Sequence, residues 1–335
     1  MIETTNKQLI ESKRISLQDV WEAKSTISPL LKKTPLLFSK TLSKACGAEI
    51  YLKYEHLHES GAFKMRGAAN AVNALSATQK ENGVITYSTG NHGFSVALAA
   101  KKLGIRAVIC VSKHVPNAKI EKIQSLGAEL EIYGDSQDEA EQRCYQLEKE
   151  QGLTVIPPFD HPHVIAGQGT IALEILEDLP SVNSVIGGLS GGGLLSGIGL
   201  TMKTTNPEIQ VIGVSMEKGA AMYESLLAGE PVSVKESPTL ADSLLGGIGE
   251  TNNYTFNMVK SFVDQSLLVS EETIKKGMAY LYKEHHIVVE GAAAIGVGAL
   301  IDNLITVKPN SKNVVIITGC NVDLDVHAKA IQPYL

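Results

Sequence analysis

Short apolar runs recur along this chain, and most are followed by a stretch in which apolar residues return every three or four positions. Residues 84–87 (VITY), 107–111 (AVICV), 130–133 (LEIY), 185–188 (VIGG), 211–214 (VIGV) and 314–318 (VVIIT) are short and apolar. They read as buried strands. Residues 93–103, 118–126, 137–151 and 169–179 carry helical spacing. Several helices stop at glycine, as at Leu103-Gly104 and Leu126-Gly127, where a left-handed residue closes the last turn. Strand and helix in alternation predict an α/β fold, with parallel sheet covered by helices on both faces.

One break interrupts the alternation. Residues 155–162 (VIPPFDHP) hold three prolines within six positions, which suits neither a helix nor a central strand. The segment is expected to cross between two α/β units. Residues 1–80 and 160–335 would then form a larger domain and residues 81–159 a smaller one. Residues 226–254, with glycine, proline and weak periodicity, read as irregular surface structure.

The 335 residues suffice for two such units. A net charge of -6 and an aromatic content of 5% argue against a nucleic-acid surface. No apolar run is long enough to span a bilayer, and the polar first residues hold no secretory signal. Cys46, Cys110, Cys144 and Cys320 form no CxxC pair, so neither a disulfide framework nor a structural zinc site is expected. The histidines at 161, 163, 285 and 286 lack ligand spacing on a defined face, so no metal is expected. The expectation is a cytoplasmic protein with no nucleic-acid or membrane partner.

In open α/β sheets, ligands bind beyond the carboxyl ends of the strands. Four turns in such places are unusual. Ser60-Gly61-Ala62-Phe63-Lys64-Met65-Arg66-Gly67 puts a lysine ahead of a helix expected at 67–75. The helix N-terminus is already positive, so an ammonium there is disfavoured and desolvation would leave a nucleophilic amine; a surface lysine is the plainer alternative. Ser88-Thr89-Gly90-Asn91-His92-Gly93 precedes an alanine-rich helix. Its small donors and free N–H groups suit a carboxylate, against the alternative of a simple N-cap.

Residues 187–194 (GGLSGGGL) place three consecutive glycines before a helix, where backbone N–H groups can converge on a phosphate. Residues 188–192 also match G-x-S-x-G, the nucleophile elbow of serine hydrolases, with Ser190 as nucleophile. No acid–histidine pair follows at a recognisable place. Thr318-Gly319-Cys320-Asn321 offers a hydroxyl and an amide that could bond a ring nitrogen, or simply ends a strand.

Taken in this order, the four turns resemble the fold-type II enzymes that use pyridoxal 5'-phosphate (PLP), in the threonine/serine dehydratase and serine racemase group. The resemblance runs from Leu36 to Asn321 and includes residues 166–170 (AGQGT), 240–243 (LADS) and 289–292 (VEGA). Residues 213–217 and the turn around Ser88 look closest to hydroxyectoine-utilisation dehydratases. The resemblance implies two open, twisted parallel-sheet domains of the tryptophan synthase β-like type, with PLP in the cleft between them. It implies that Lys64 carries PLP as a Schiff base and serves as catalytic base, and that Phe63 packs beside the cofactor. Asn91 would bond the ring hydroxyl oxygen. Ser190, Gly191, Gly192, Gly193 and Leu194 would hold the phosphate, Glu290 would join the cofactor site, and Thr318 would face the pyridine nitrogen. Ser88, Thr89, Asn91 and His92 would surround the substrate carboxylate, with Thr89 also placed as a catalytic hydroxyl.

The implied activity is that of an ammonia-lyase, turning a β-hydroxy amino acid into a 2-oxo acid and ammonia in a dimer or tetramer. An amino-acid racemase, a 3-hydroxyaspartate dehydratase and a β-replacement synthase are rivals within the group. Several positions depart from its pattern. Ser190 stands where many relatives have a fourth glycine. Thr89 replaces the serine that acts in racemases, which weighs against racemisation. Residues 215–221 lack the acidic pair of a divalent-metal site. No regulatory domain is expected after Asn321.

Overall fold

A computed structural model describes residues 14–335 except 89, 116 and 250, and only the backbone of residues 117–119, 137 and 138. Its strands form two sheets. One has six strands: β1 (Leu36–Phe38), β2 (Glu49–Lys53), β7 (Ser184–Gly188), β8 (Gln210–Met216), β9 (Gln265–Val269) and β10 (Lys312–Ile316), in the order β1-β2-β10-β7-β8-β9. The other has four: β3 (Val84–Thr86), β4 (Ala107–Val111), β5 (Glu129–Ile132) and β6 (Thr154–Val155), in the order β5-β4-β3-β6. Every pairing is parallel except β1 with β2.

Successive strand residues point to opposite faces, so a strand covered on both sides must be apolar throughout. Val185, Val211 and Val314 face α8 (Pro162–Asp178) and α9 (Gly193–Thr205). Their neighbours Ile186, Ile212 and Val315 face α12 (Glu271–His285) and α13 (Gly291–Ile301). In the smaller sheet, Val84 and Ile109 pack on α3 (Lys64–Asn73) and α5 (Asn91–Leu103), while Ile85 and Val108 pack on α7 (Gln137–Gln151).

Four strands escape the sequence reading. In β2 (EIYLK) the two charged residues hide the strand, yet Lys53 is wholly buried in an ionic cluster. β1, β6 and β9 are short or carry polar residues at sheet edges. The proline-rich break also needs correction. β6 pairs with β3 until Val155, and Pro162 opens α8, because a missing N–H costs nothing in the first turn of a helix. The helix expected at 169–179 therefore starts seven residues earlier, and the helix expected at 67–75 starts at Lys64 itself.

Glycines at 167 and 169 weakened the helical signal of α8. A Cβ on Gly167 would lie 2.7 Å from the Arg66 carbonyl oxygen, so glycine is what lets α3 and α8 touch backbone to backbone. Among the described residues, no helix is long and apolar enough to cross a membrane.

Candidate active site

Three of the four turns leave the carboxyl ends of β3, β7 and β10, and the fourth follows β2 through a short 3-10 turn, Glu55–Leu57. Backbone pairing joins the first turn to the last. The Phe63 N–H donates to the Thr318 carbonyl (2.9 Å), the Cys320 N–H to that of Gly61 (2.9 Å), and Ala62 and Gly319 form an isolated β-bridge. Thr318 is buried at this junction.

Lys64 is the first residue of α3, and its Nζ donates to the Pro158 carbonyl at 2.7 Å. The ammonium lies 5.4 Å from the centre of the Phe63 ring. Desolvation lowers the Lys64 pKa to about 8, although the Glu290 carboxylate works against that shift. The side chain keeps an edge of exposure, but the protein around the ammonium displaces most of its water.

Residues 190–193 form a cradle before α9. Gly192 has φ +85° and serves as N-cap with no side chain bonded to the helix end. A Cβ on Gly191 would meet the Phe159 ring at 2.4 Å, and one on Gly193 would lie 3.0 Å from the Phe159 carbonyl oxygen. On the other side, a Cβ on Gly192 would meet Met222 at 2.8 Å. Only glycines fit this slot, and the N–H groups at the start of the helix could receive an anion. Leu194 sends its side chain into the core, so only its N–H is available. Ser190 Oγ bonds no histidine among the described residues, whereas His285 is engaged by Ser39 and Tyr54. That leaves the hydrolase reading without a base.

The second turn opens α5 at Asn91. The Gly90 N–H donates to Ser88 Oγ at 3.3 Å, and a Cβ on Gly93 would strike the Ser88 carbonyl oxygen at 1.9 Å. Thr89 lies outside the described residues. His92 Nε2 donates to the Ile156 carbonyl at 2.8 Å, leaving a buried Nδ1 without a partner among the described residues. Burial, with the nearby Lys64 charge, lowers the His92 pKa to about 3, so the ring is neutral.

Glu290 gathers the site from a distance in sequence. It precedes α13 without capping it; its carboxylate accepts from Asn91 Nδ2 (2.9 and 3.1 Å) and from Ser243 Oγ (2.9 Å). Burial raises its pKa in spite of these donors.

Sequence reasoning missed the segment that joins the two halves of the site. Pro158 receives the Lys64 amine, and the next residue, Phe159, walls the glycine cradle; both sit in the stretch read as a linker. Asp160 then accepts from the N–H groups of Asn253 (2.6 Å), Tyr254 (2.9 Å) and Thr255 (2.8 Å) and so anchors the start of α11 (Thr255–Phe262).

Also missed was a buried ionic cluster under α3. Arg66 forks onto Glu55 (2.7 and 2.8 Å) and Glu174 (2.7 and 2.7 Å), and Lys53 bonds Glu174 as well. Lys53 and Arg66 thus meet Glu55 and Glu174, and His58 Nε2 lies 3.2 Å from Glu55. The cluster's members are scattered over the chain and produce no local motif.

A family model for pyridoxal-phosphate dependent enzymes matches residues 27–319. This chain belongs to that family. The enzyme is 44% identical over 322 residues to a putative threonine dehydratase of Sinorhizobium fredii, covering 96% of this chain and 97% of that protein. It is 41% identical over 318 residues to an L-threonine ammonia-lyase of Thermotoga maritima, covering 95% and 78%. Among solved structures, maize serine racemase superposes with a TM-score of 0.89 at 31% identity, covering 96% of this chain and 98% of that one. A threonine deaminase isoform of Solanum lycopersicum gives 0.88 at 32% identity, covering 94% and 87%. The residues fit the cofactor's chemistry: a desolvated amine for its aldehyde, and within reach of one connecting segment, a glycine slot for its phosphate.

Proposed function

We propose that the enzyme is an ammonia-lyase that converts a β-hydroxy amino acid, such as L-threonine or L-serine, into a 2-oxo acid and ammonia. One observation carries this reading: the Lys64 amine, its pKa lowered by desolvation, sits against the same dipeptide that walls the glycine cradle. The names of the relatives from Sinorhizobium fredii and Thermotoga maritima support the substrate class.

In this reading Lys64 anchors the cofactor and takes the Cα proton. Bound PLP withdraws electrons from the carbon that loses this proton. With a pKa of about 8, the amine is neutral in roughly one molecule in ten at neutral pH, whereas an ordinary lysine is almost never so. The N–H groups of residues 190–194 would hold the phosphate, Phe63 would pack beside the ring, and Asn91, whose Nδ2 bonds Glu290, would turn that donor to the ring oxygen. Thr318, buried where the first and last turns meet, would offer the ring nitrogen a neutral hydroxyl. Ser88, Thr89 and His92 receive the substrate carboxylate. His92 stays uncharged there, so it does not compete with Lys64 for the proton.

A racemase of the same amino acids is the second reading, favoured by the likeness to maize serine racemase. Purified enzyme loaded with PLP, assayed across serine, threonine and 3-hydroxyaspartate, separates the two. Keto acid and ammonia in equal amounts support the lyase; an inverted amino acid without keto acid would replace it by the racemase.

We also propose a homo-oligomer in the cytoplasm. Leu324 and Val326 of α14 (Leu324–Ile331), with Leu335 and Tyr282, leave an apolar surface that a second copy would cover. Four free thiols suit a reducing compartment. Light scattering of the purified protein tests the assembly.

A further inference from the structure

The amide of Asn321 has no capacity left for a cofactor. Its Oδ1 accepts from Lys122 Nζ at 2.8 Å, and its Nδ2 donates both hydrogens, to the Ser60 carbonyl (2.8 Å) and to Asn91 Oδ1 (2.7 Å). The reading of this amide as a bond to the ring nitrogen is thereby corrected. We propose instead that Asn321 is a positioning residue that sets which end of the Asn91 amide faces the cofactor, with Lys122 as its anchor.

An asparagine amide has an acceptor end and a donor end of nearly the same shape, so neighbours decide its orientation. Lys122 can only donate, and the Ser60 carbonyl can only accept. Together they leave one orientation for Asn321, with Oδ1 toward α6 (Asn117–Ser125) and Nδ2 inward. Asn91 Oδ1 is then claimed by that Nδ2, and Asn91 Nδ2 turns to Glu290 and the site. The polarity of the whole chain thus starts at a surface ammonium. Lys122 is itself held, 4.2 Å over the ring of Phe94 on α5. Gly61 makes room for this amide: its φ is +76°, and a Cβ there would lie 2.8 Å from Asn321 Oδ1.

The relay also crosses the fold. Asn321 follows β10 of the six-stranded sheet, whereas Asn91 and Lys122 lie on helices that flank the four-stranded one. Asn91 Nδ2 therefore keeps its direction, toward Glu290 and the cofactor side, only while the two units stay in register.

The inference rests on the proposed placement of Asn91 at the cofactor ring, so the test includes Asn91→Ala. The apoproteins of the parent, N91A, N321D, K122M and K122R are titrated with PLP, and the absorption band of each loaded enzyme is recorded. Asn321→Asp would set a carboxylate against Asn91 Oδ1, and PLP affinity should fall by about tenfold with a displaced band. K122M, a change at an exposed position, should weaken PLP by about threefold, and K122R, which also only donates, should restore it. Unchanged affinity and band in both N321D and K122M would overturn the relay, as would a K122R enzyme no better than K122M. If N91A also bound PLP normally, the placement of Asn91 would fail too; N91A impaired beside a normal K122M and N321D would sink the relay alone. Should N321D not fold, the Lys122 pair decides.

Discussion

Lys64 Nζ lies 2.7 Å from the Pro158 carbonyl oxygen. A carbonyl only accepts, so it holds the amine in place without supplying a counter-charge. The Glu290 carboxylate favours the charged ammonium but does not offset the loss of water. The result is an amine with a lowered pKa and a defined direction, which a nucleophile and base requires.

In the apoprotein, acylation of Lys64 should be half-maximal near pH 8. An amine reacts only when neutral, so the rate rises with pH through that value, while ordinary lysines respond near 10.5. Peptide mass spectrometry after timed labelling reads this out. A Lys64 profile matching the surface lysines would mean that the amine is not desolvated.

Replacing Lys64 by alanine should lower turnover by about 10²–10⁴-fold or more, since both the anchor and the base are lost. Borohydride reduction of the parent should leave a pyridoxyl mass on the peptide that carries position 64. Finding that mass on another lysine would relocate the site.

The glycine cradle predicts a compensation. Gly191→Ala drives a methyl into the Phe159 ring, which should cost about 1–3 kcal/mol of cofactor binding. Adding Phe159→Ala removes the clash and should recover part of the affinity. PLP titration of the single and double variants checks this, and a double variant no better than the single would show that Phe159 is not the wall.

The ionic cluster predicts an acid limit and a large stability cost. Arg66→Met strands two buried carboxylates and should destabilise the fold by about 3–5 kcal/mol, measured by urea unfolding. Salt bridges and hydrogen bonds from Arg66, with His58 assisting, hold Glu55 well below its ordinary value, and Glu174 is lowered by Arg66 and Lys53. For depressed carboxylates the stabilisation is complete above the unfolded value near 4.5 and is lost as pH falls through the folded values. The urea midpoint should therefore drop steeply below that pH. A Glu55→Gln variant should show a flatter profile there.

Several features were legible in residue order. The runs at 84–87, 107–111, 185–188, 211–214 and 314–318 all form buried strands because an apolar run bounded by turns has few other fates. Gly191, Gly192 and Gly193 declared a close approach, since three consecutive glycines gain nothing elsewhere. Other features were not legible. β2 was masked by Glu49, which accepts from Tyr51 of the same strand, and by Lys53, whose buried charge is tolerated because the distant Glu174 receives it. Pro157 and Pro158 read as punctuation, although Pro158 takes the Lys64 amine.

Local residue order alone thus determined the parallel α/β architecture, the turns where chemistry can occur and the lysine that stands out among them, because periodicity and backbone freedom are properties of neighbours in the chain. Tertiary structure alone decided that Lys64 meets Pro158, that Phe159 closes the cradle, that Glu290 faces Asn91, and that Asn321 spends its amide on Lys122, Ser60 and Asn91. The hydrogen bonds in those relations join groups between 94 and 261 residues apart, and desolvation and hydrogen-bond direction depend on what arrives from elsewhere in the fold.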